Sequence, residues 1–292
     1  MKSGDAKISV TRVVSKTNSL SASWLLTLLL LLSLTATVQS QDFFYRTNHG
    51  KITITGNIGS TSSLTIPSTI HGLPVTCIGD DAFKSKSMTS VIIPDSITTI
   101  DVGAFCSCGY LTNVAIPNRV TSIGGWAFFG CSSLTSVAIP ESVNAINGLA
   151  FGGCGSLILI TVNALNSSYS SWGGVLFNKD LTTLIQYPGG KAGSYRIPNS
   201  VTSIGDWAFF QCTKLTSVTI PNSVTNLGDY SFHFCTNLRA VVFQGNAPSL
   251  NSRVFDRATH ATVYYLPGTK GWGLNFGGRP TALYSPPPVL AK

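Results

Sequence analysis

Apolar residues return along most of the chain in one fixed order. Around Pro140 they are Leu134, Val137 and Ile139, then Val143, Ile146, Ala150, Phe151, Cys154 and Leu157. One unit earlier the slots hold Leu111, Val114, Ile116, Val120, Ile123, Ala127, Phe128 and Cys131. Near the end they hold Leu215, Val218, Ile220, Val224, Leu227, Phe232 and Cys235. Ile-Pro pairs mark the phase, with prolines at 67, 94, 117, 140, 198 and 221 and gaps of 27, 23, 23, 58 and 23. A 23-residue unit therefore spans about residues 60–243, interrupted once between Pro140 and Pro198. The stretches IPNRVTSIGGWAFFGC (116–131) and IPNSVTSIGDWAFFQC (197–212) show how closely it repeats.

Within a unit, the Val-x-Ile step has the period of a strand. Proline ends that strand because it has no N–H to give to a ladder. Ser-Val-Thr-x-Ile reads as a second extended piece. Asp206 or Asp229 is placed to cap a short helical turn in DWAFFQC or DYSFHFC. Burying about eight apolar side chains yields about 2 kcal/mol each, while ordering the unit costs about 1.5 kcal/mol per residue. One unit cannot fold alone. Stacked units can, because strands pair between neighbours and the apolar slots form one core.

The motif L-x-x-V-x-I-P-x-S-V-T-x-I-G-x-x-A-F-x-x-C resembles the BspA-type leucine-rich repeat of bacterial surface and secreted proteins. The resemblance covers about residues 60–243. It implies a β-rich α/β solenoid with a parallel sheet on its concave side, and a role in adhesion or protein–protein contact. Two departures are visible: Ser85 or Lys86 stands where the first unit should have cysteine, and Asn163 where the fourth should have proline. The period places strands near 112–116, 135–139, 216–220 and 239–243 in one parallel sheet.

A solenoid needs cover at both ends. FFYRTNHGKITITG alternates about an Asn-His-Gly turn, so residues 41–59 read as a hairpin cap. Residues 244–284 break the repeat and read as a β-rich C-terminal cap with an aromatic plug. Residues 285–292, SPPPVLAK within their surroundings, read as a disordered tail. In the insertion, 163–196, two apolar runs flank Asn178-Lys179-Asp180, which predicts a β-hairpin leaving the solenoid.

Charge adds little to this picture. Only 10% of residues are charged and Glu141 is the sole glutamate. Lys2, Lys7, Arg12 and Lys16 precede the apolar run WLLTLLLLLSL (24–34), which is followed by TATVQS. Val38 and Ser40 suit a signal-peptidase site, so residues 1–40 read as a signal peptide. The run is short of the ~20 apolar residues of a membrane span, and an uncleaved anchor is the alternative. Cleavage removes four basic residues and Asp5, taking the formal charge from +8 to +5. The remaining basic residues form no run, so nucleic acid is not expected as a partner. Nor is a membrane span expected after cleavage. The chain is expected to be secreted or held at the cell surface.

Cys108, Cys131, Cys154, Cys212 and Cys235 share one slot, fourteen residues after each proline. Export favours disulfides, but side chains in one slot of adjacent coils aim the same way, which is poor disulfide geometry. A buried thiol row is the favoured reading, and Cys77 and Cys106 fall outside it. No C-x-x-C points to a metal. His49, His71, His233 and His260 occupy unrelated places, and no G-x-S-x-G, P-loop or H-E-x-x-H is present. No metal, cofactor or catalytic residue is assigned, and an enzyme is a distant third reading.

One slot beside Ala-Phe holds Trp126, Trp207 and Tyr230; the next variable slot holds Phe129, Phe210 and His233. Trp126, Phe129, Trp207, Phe210 and Tyr230 are the candidate ligand-binding residues, as a semi-exposed aromatic stripe for a protein or glycan. The alternative is that they pack between coils as outer core. Two functional classes follow: an exported binding or adhesion module, and a passive structural component of a surface layer or matrix.

Overall fold

The computed structural model describes residues 43–59 and 62–285. The expected signal peptide and most of the expected tail lie outside these residues. The described chain is a β-solenoid of about nine turns. Each regular coil runs through a first strand, the proline corner, a shorter second strand and a tight turn segment. An antiparallel pair, Phe43–Asn48 with Lys51–Asn57, opens the chain, and its second strand is also the first rung of a parallel ladder with Leu73–Ile78.

The first-strand face is not one sheet. Ser63–Thr65, Ser90–Ile92 and Asn113–Val114 form a parallel ladder, joined by a single Ala115–Ala138 bridge to the pair Ser136–Ile139 and Leu159–Val162. A separate ladder then runs through Gly193–Arg196, Leu215–Ile220, Ala240–Phe243, Thr262–Tyr265 and Arg279–Leu283. The expected single sheet is thus split, and so is the second-strand face, at Ala145–Ile146 and Thr183–Gln186.

The insertion is the cause. It forms a meander, Tyr169–Trp172, Val175–Asn178 and Thr183–Gln186, whose last strand pairs in parallel with Ser203–Ile204. It does not leave the solenoid. Leu176 packs into the N-terminal core, while Val175 and Phe177 pack into the C-terminal core. The meander also seals open edges: the Ile146 N–H donates to the Tyr169 hydroxyl (2.8 Å) and the Ile160 N–H to the Gly174 carbonyl (2.9 Å). The ladders also extend beyond residue 243, because Phe255 follows Phe232 by one full period and packs in the same row. Trp272 and Phe276 then cover Phe243.

The expected helical turn is absent; no helix occurs among the described residues. An α-helix needs an i−4 bond at every residue. Here alternate amides leave the turn. Phe128 donates to Ala150 in the next coil (2.8 Å), whereas Ala127 and Phe129 donate within the turn to Gly124 and Trp126. Asp206 and Asp229 do not cap their own turns either. Their carboxylates accept the backbone N–H groups of Asp229 and Ser252, one coil on. The α/β label therefore becomes all-β.

Two phenylalanine rows fill the core. Phe83, Phe105, Phe128 and Phe151 stack at 5.2–5.5 Å, and Tyr187, Phe209, Phe232 and Phe255 at 4.6–5.2 Å. The slot cysteines are buried beside them. Cys108, Cys131, Cys154 and Cys235 donate to the carbonyls of Phe83, Phe105, Phe128 and Phe209 at 3.0–3.2 Å. Burial pushes the Cys108 thiol up to about 11 and Cys154 to about 12, holding both protonated as donors. Cys77 lies apart, bonded to the Asp101 carboxylate at 3.1 Å.

Candidate functional site

The turn segment has two left-handed residues per regular coil, four apart. The first row contains Trp126, Leu149, Trp207, Tyr230 and Arg253; the second contains Gly130, Gly153, Gln211, Phe234 and Arg257. In the first row Trp126, Trp207 and Tyr230 donate their amides to the next coil, to Gly148 (3.3 Å), Asp229 (2.9 Å) and Ser252 (3.0 Å). This locks equivalent side chains one coil apart, the spacing of paired strands. Trp207 and Tyr230 consequently stack, with centroids 4.2 Å apart and planes at 6°. Arg253 continues the stack, its guanidinium 5.9 Å from the Tyr230 centroid and its Nη1 3.1 Å from the Tyr230 hydroxyl.

Trp126 has no such partner. It is 51% exposed and makes no ring contact among the described residues. Its row neighbours are Gly103 and Leu149, neither of them aromatic, and beyond Leu149 the row breaks because the insertion coil is short. Leu184 aligns with Ile204, and Tyr187 takes the place of Phe209, donating to the Ala208 carbonyl as Phe209 does to Ser231. Only two residues separate Leu184 from Tyr187, against four between Ile204 and Phe209. The deleted pair includes the left-handed slot.

The variable slot behaves differently. Phe129 and Phe210 come from coils on opposite sides of the insertion, yet their centroids are 5.7 Å apart. Gly152 makes this possible: a Cβ there would lie 3.2 Å from a Phe129 ring carbon. Phe210 is only 7% exposed, so it is outer core and not the semi-exposed ligand contact its slot suggests. Of the five candidate residues, the structure places Trp207, Tyr230 and Phe210 in one cluster, links Phe129 to it, and leaves Trp126 apart.

His233 sits within that cluster, stacked on Phe210 (5.7 Å) and edge-on to Trp207, Tyr230 and Phe234. Its Nδ1 is 3.1 Å from the Asp256 carboxylate without hydrogen-bond alignment, an ion pair only when the ring is protonated. Burial lowers its pKa, against the opposing pull of Asp256. Phe234, Arg253 and Arg257 complete the surface, and sequence reading missed them. Arg253 and Arg257 were legible through Phe255, but the absence of an Ile-Pro pair after Pro221 ended the alignment one coil early. No group of three His, Cys, Asp or Glu side chains that could hold a metal occurs among the described residues.

The BspA type leucine-rich repeat region matches the chain in six copies, over residues 76–185 and 189–270. The chain belongs to the BspA-type leucine-rich repeat family. The gap in the match falls at the insertion coil's shortened turn. The chain is also similar to a leucine-rich repeat protein from Eubacterium ventriosum, with 23% identity, 75% of each chain covered and a TM-score of 0.51. It is similar to the leucine-rich repeat protein of T. pallidum, with 28% identity, 75% of this chain and 87% of that chain covered, and a TM-score of 0.47. A third similar structure is a leucine rich cell surface protein from Faecalibacterium prausnitzii, with 25% identity, coverage of 76% and 80%, and a TM-score of 0.45. No curated protein matches the chain.

Proposed function

We propose that this BspA-type repeat protein is an exported, non-catalytic binding or adhesion module whose turn face contacts a macromolecular partner. The observation that carries this reading is the left-handed backbone under large side chains. Trp126, Trp207 and Tyr230 have φ of 56°, 58° and 53°. Such a conformation costs an L-residue about 1–2 kcal/mol, and Gly103 fills the equivalent slot in an earlier coil. Bulky aromatics held there against local preference support a role in display. Tryptophan, tyrosine and arginine are also the residues that dominate binding hot spots.

The stacking favours a protein over a glycan. Trp207 and Tyr230 spend ring faces on each other and on Arg253, leaving polarised edges and the guanidinium for a partner. Export is supported by the basic start and apolar run, and a surface location by the family. Catalysis is not part of the proposal, because solenoids of this kind are generally non-catalytic. The second reading, a passive structural component, draws on the exposed Ile158, Leu159 and Trp172 near the insertion. Concentration-dependent self-association in sedimentation would favour it.

The test is a screen of residues 41–292 against a protein array, followed by the Trp207→Ser, Tyr230→Ser double variant. At least tenfold weaker binding by the folded variant is expected. Unchanged binding by the folded fraction, or failure to fold with no bound partner ever found, would overturn the turn-face reading.

A further inference from the structure

The proline corner of the last coils carries a hollow unrelated to the aromatic cluster. Pro221-Asn222 forms this corner in one coil, Gln244-Gly245-Asn246 in the next, and Gly268-Thr269 in the cap. Gly245 sits where the preceding coil has Asn222, and a Cβ on it would come within 2.7 Å of the Asn222 backbone. With glycine at 245 and 268, two consecutive coils lack side chains at the corner. The space left is about 410 Å³, within the range of about 300–1,000 Å³ typical of small-molecule sites.

Its chemistry is narrow. No charged side chain lines it. Among the described residues the side-chain amides of Asn222 and Gln244 make no hydrogen bond, and Asn246 commits only its Oδ1, to the Lys270 N–H at 2.8 Å. A carboxamide sets two donors beside an acceptor. That combination matches adjacent hydroxyl groups, each of which donates and accepts. Val224 and Pro248 supply a buried apolar floor for the C–H face of a ring. Thr269 is already engaged, donating to Leu266 and accepting from the Trp272 indole (2.9 Å), so it fixes the wall. An anion would find no countercharge here, and an apolar ligand would bury the free amides unpaired, which is costly.

We infer that this corner hollow is a second binding site, for a neutral carbohydrate held by Asn222, Gln244 and Asn246. It goes beyond the turn-face reading and does not depend on it.

The probes are maltopentaose, cellopentaose and chitopentaose, with a heparin hexasaccharide as the anionic control, titrated into residues 41–292 by calorimetry and saturation-transfer NMR. At least one neutral pentasaccharide should bind saturably. The near-isosteric Asn222→Asp and Gln244→Glu variants should each weaken it at least tenfold at an unchanged melting temperature, while Trp207→Ser leaves it intact. Binding by none of the three neutral sugars, binding by heparin alone, or full binding by both variants would overturn the inference. Loss through Trp207→Ser alone would assign the sugar to the turn face and equally remove the corner site.

Discussion

The segments 116–131 and 197–212 differ at three positions, Arg119/Ser200, Gly125/Asp206 and Gly130/Gln211, yet their tryptophans have different surroundings. Trp126 stands alone at the surface; Trp207 is half-buried in a stack. The cause lies one coil away. Trp126 is followed in its row by Leu149, Trp207 by Tyr230. Asp206 also accepts the Asp229 N–H, fixing the turn that presents Tyr230, and Gly125 has no side chain to do so. The two halves differ in charge as well. Residues 43–162 carry five basic and five acidic side chains, residues 163–285 nine and four. In a solenoid the unit of meaning is therefore the row across coils, and a repeat's own sequence does not determine what its side chains do.

The core should be the place where the halves behave alike. Phe128 and Phe209 are both fully buried in stacked rows, so Phe128→Ala and Phe209→Ala should each cost about 3–5 kcal/mol. Denaturant unfolding followed by far-UV dichroism checks this. Because Leu176 and Phe177 tie the meander to both cores, each variant should lower one common transition. Two separated transitions, with one unmoved, would mean the insertion insulates the halves.

The surface rows should distinguish them. Trp207→Ala loses a stack worth about 0.5–1.5 kcal/mol beyond its burial, and should destabilise more than Trp126→Ala. The converse experiment is sharper. Leu149→Tyr gives Trp126 the partner it lacks and should raise the unfolding midpoint modestly while changing tryptophan emission. Equal effects of the two alanine variants would show that stacking contributes nothing on this face.

The repeat itself was legible because the Ile-Pro phase and the Val-x-Ile step report directly which residues face the core. The aromatic slots were legible too, since they keep constant distance from the phenylalanine. Three things were not. Sheet continuity depends on what lies beside a strand, and nothing in the Val137 or Val218 neighbourhood reveals the meander between them. The turn looked helical because Asp206 and Asp229 stand where an N-cap would, but amide sharing between coils wins. Phe210 looked exposed from its slot, and only the shortened coil and Gly152, distant in sequence, bring Phe129 over it.

The smallest expected difference concerns pH. The N-terminal half has Phe129 where the C-terminal half has Phe210 and then His233, so only the second cluster contains a titratable ring. Burial among Phe210, Trp207, Tyr230 and Phe234 pulls the His233 pKa below its ordinary value near 6.5, and the Asp256 carboxylate and Arg257 guanidinium modulate that shift in opposite directions. The folded protein thus binds this proton less readily than the unfolded chain. Linkage then requires stability to be fully present above about 6.5 and to fall as the pH drops below it. Thermal melts between pH 7.5 and 5 should show a lower midpoint at the acid end, and His233→Phe should flatten that part of the profile. If the variant retains the full acid loss, the titrating group lies elsewhere. If the stability of the unsubstituted protein instead rises with falling pH, the sign assigned to His233 is wrong and the Asp256 contact, not burial, governs the ring.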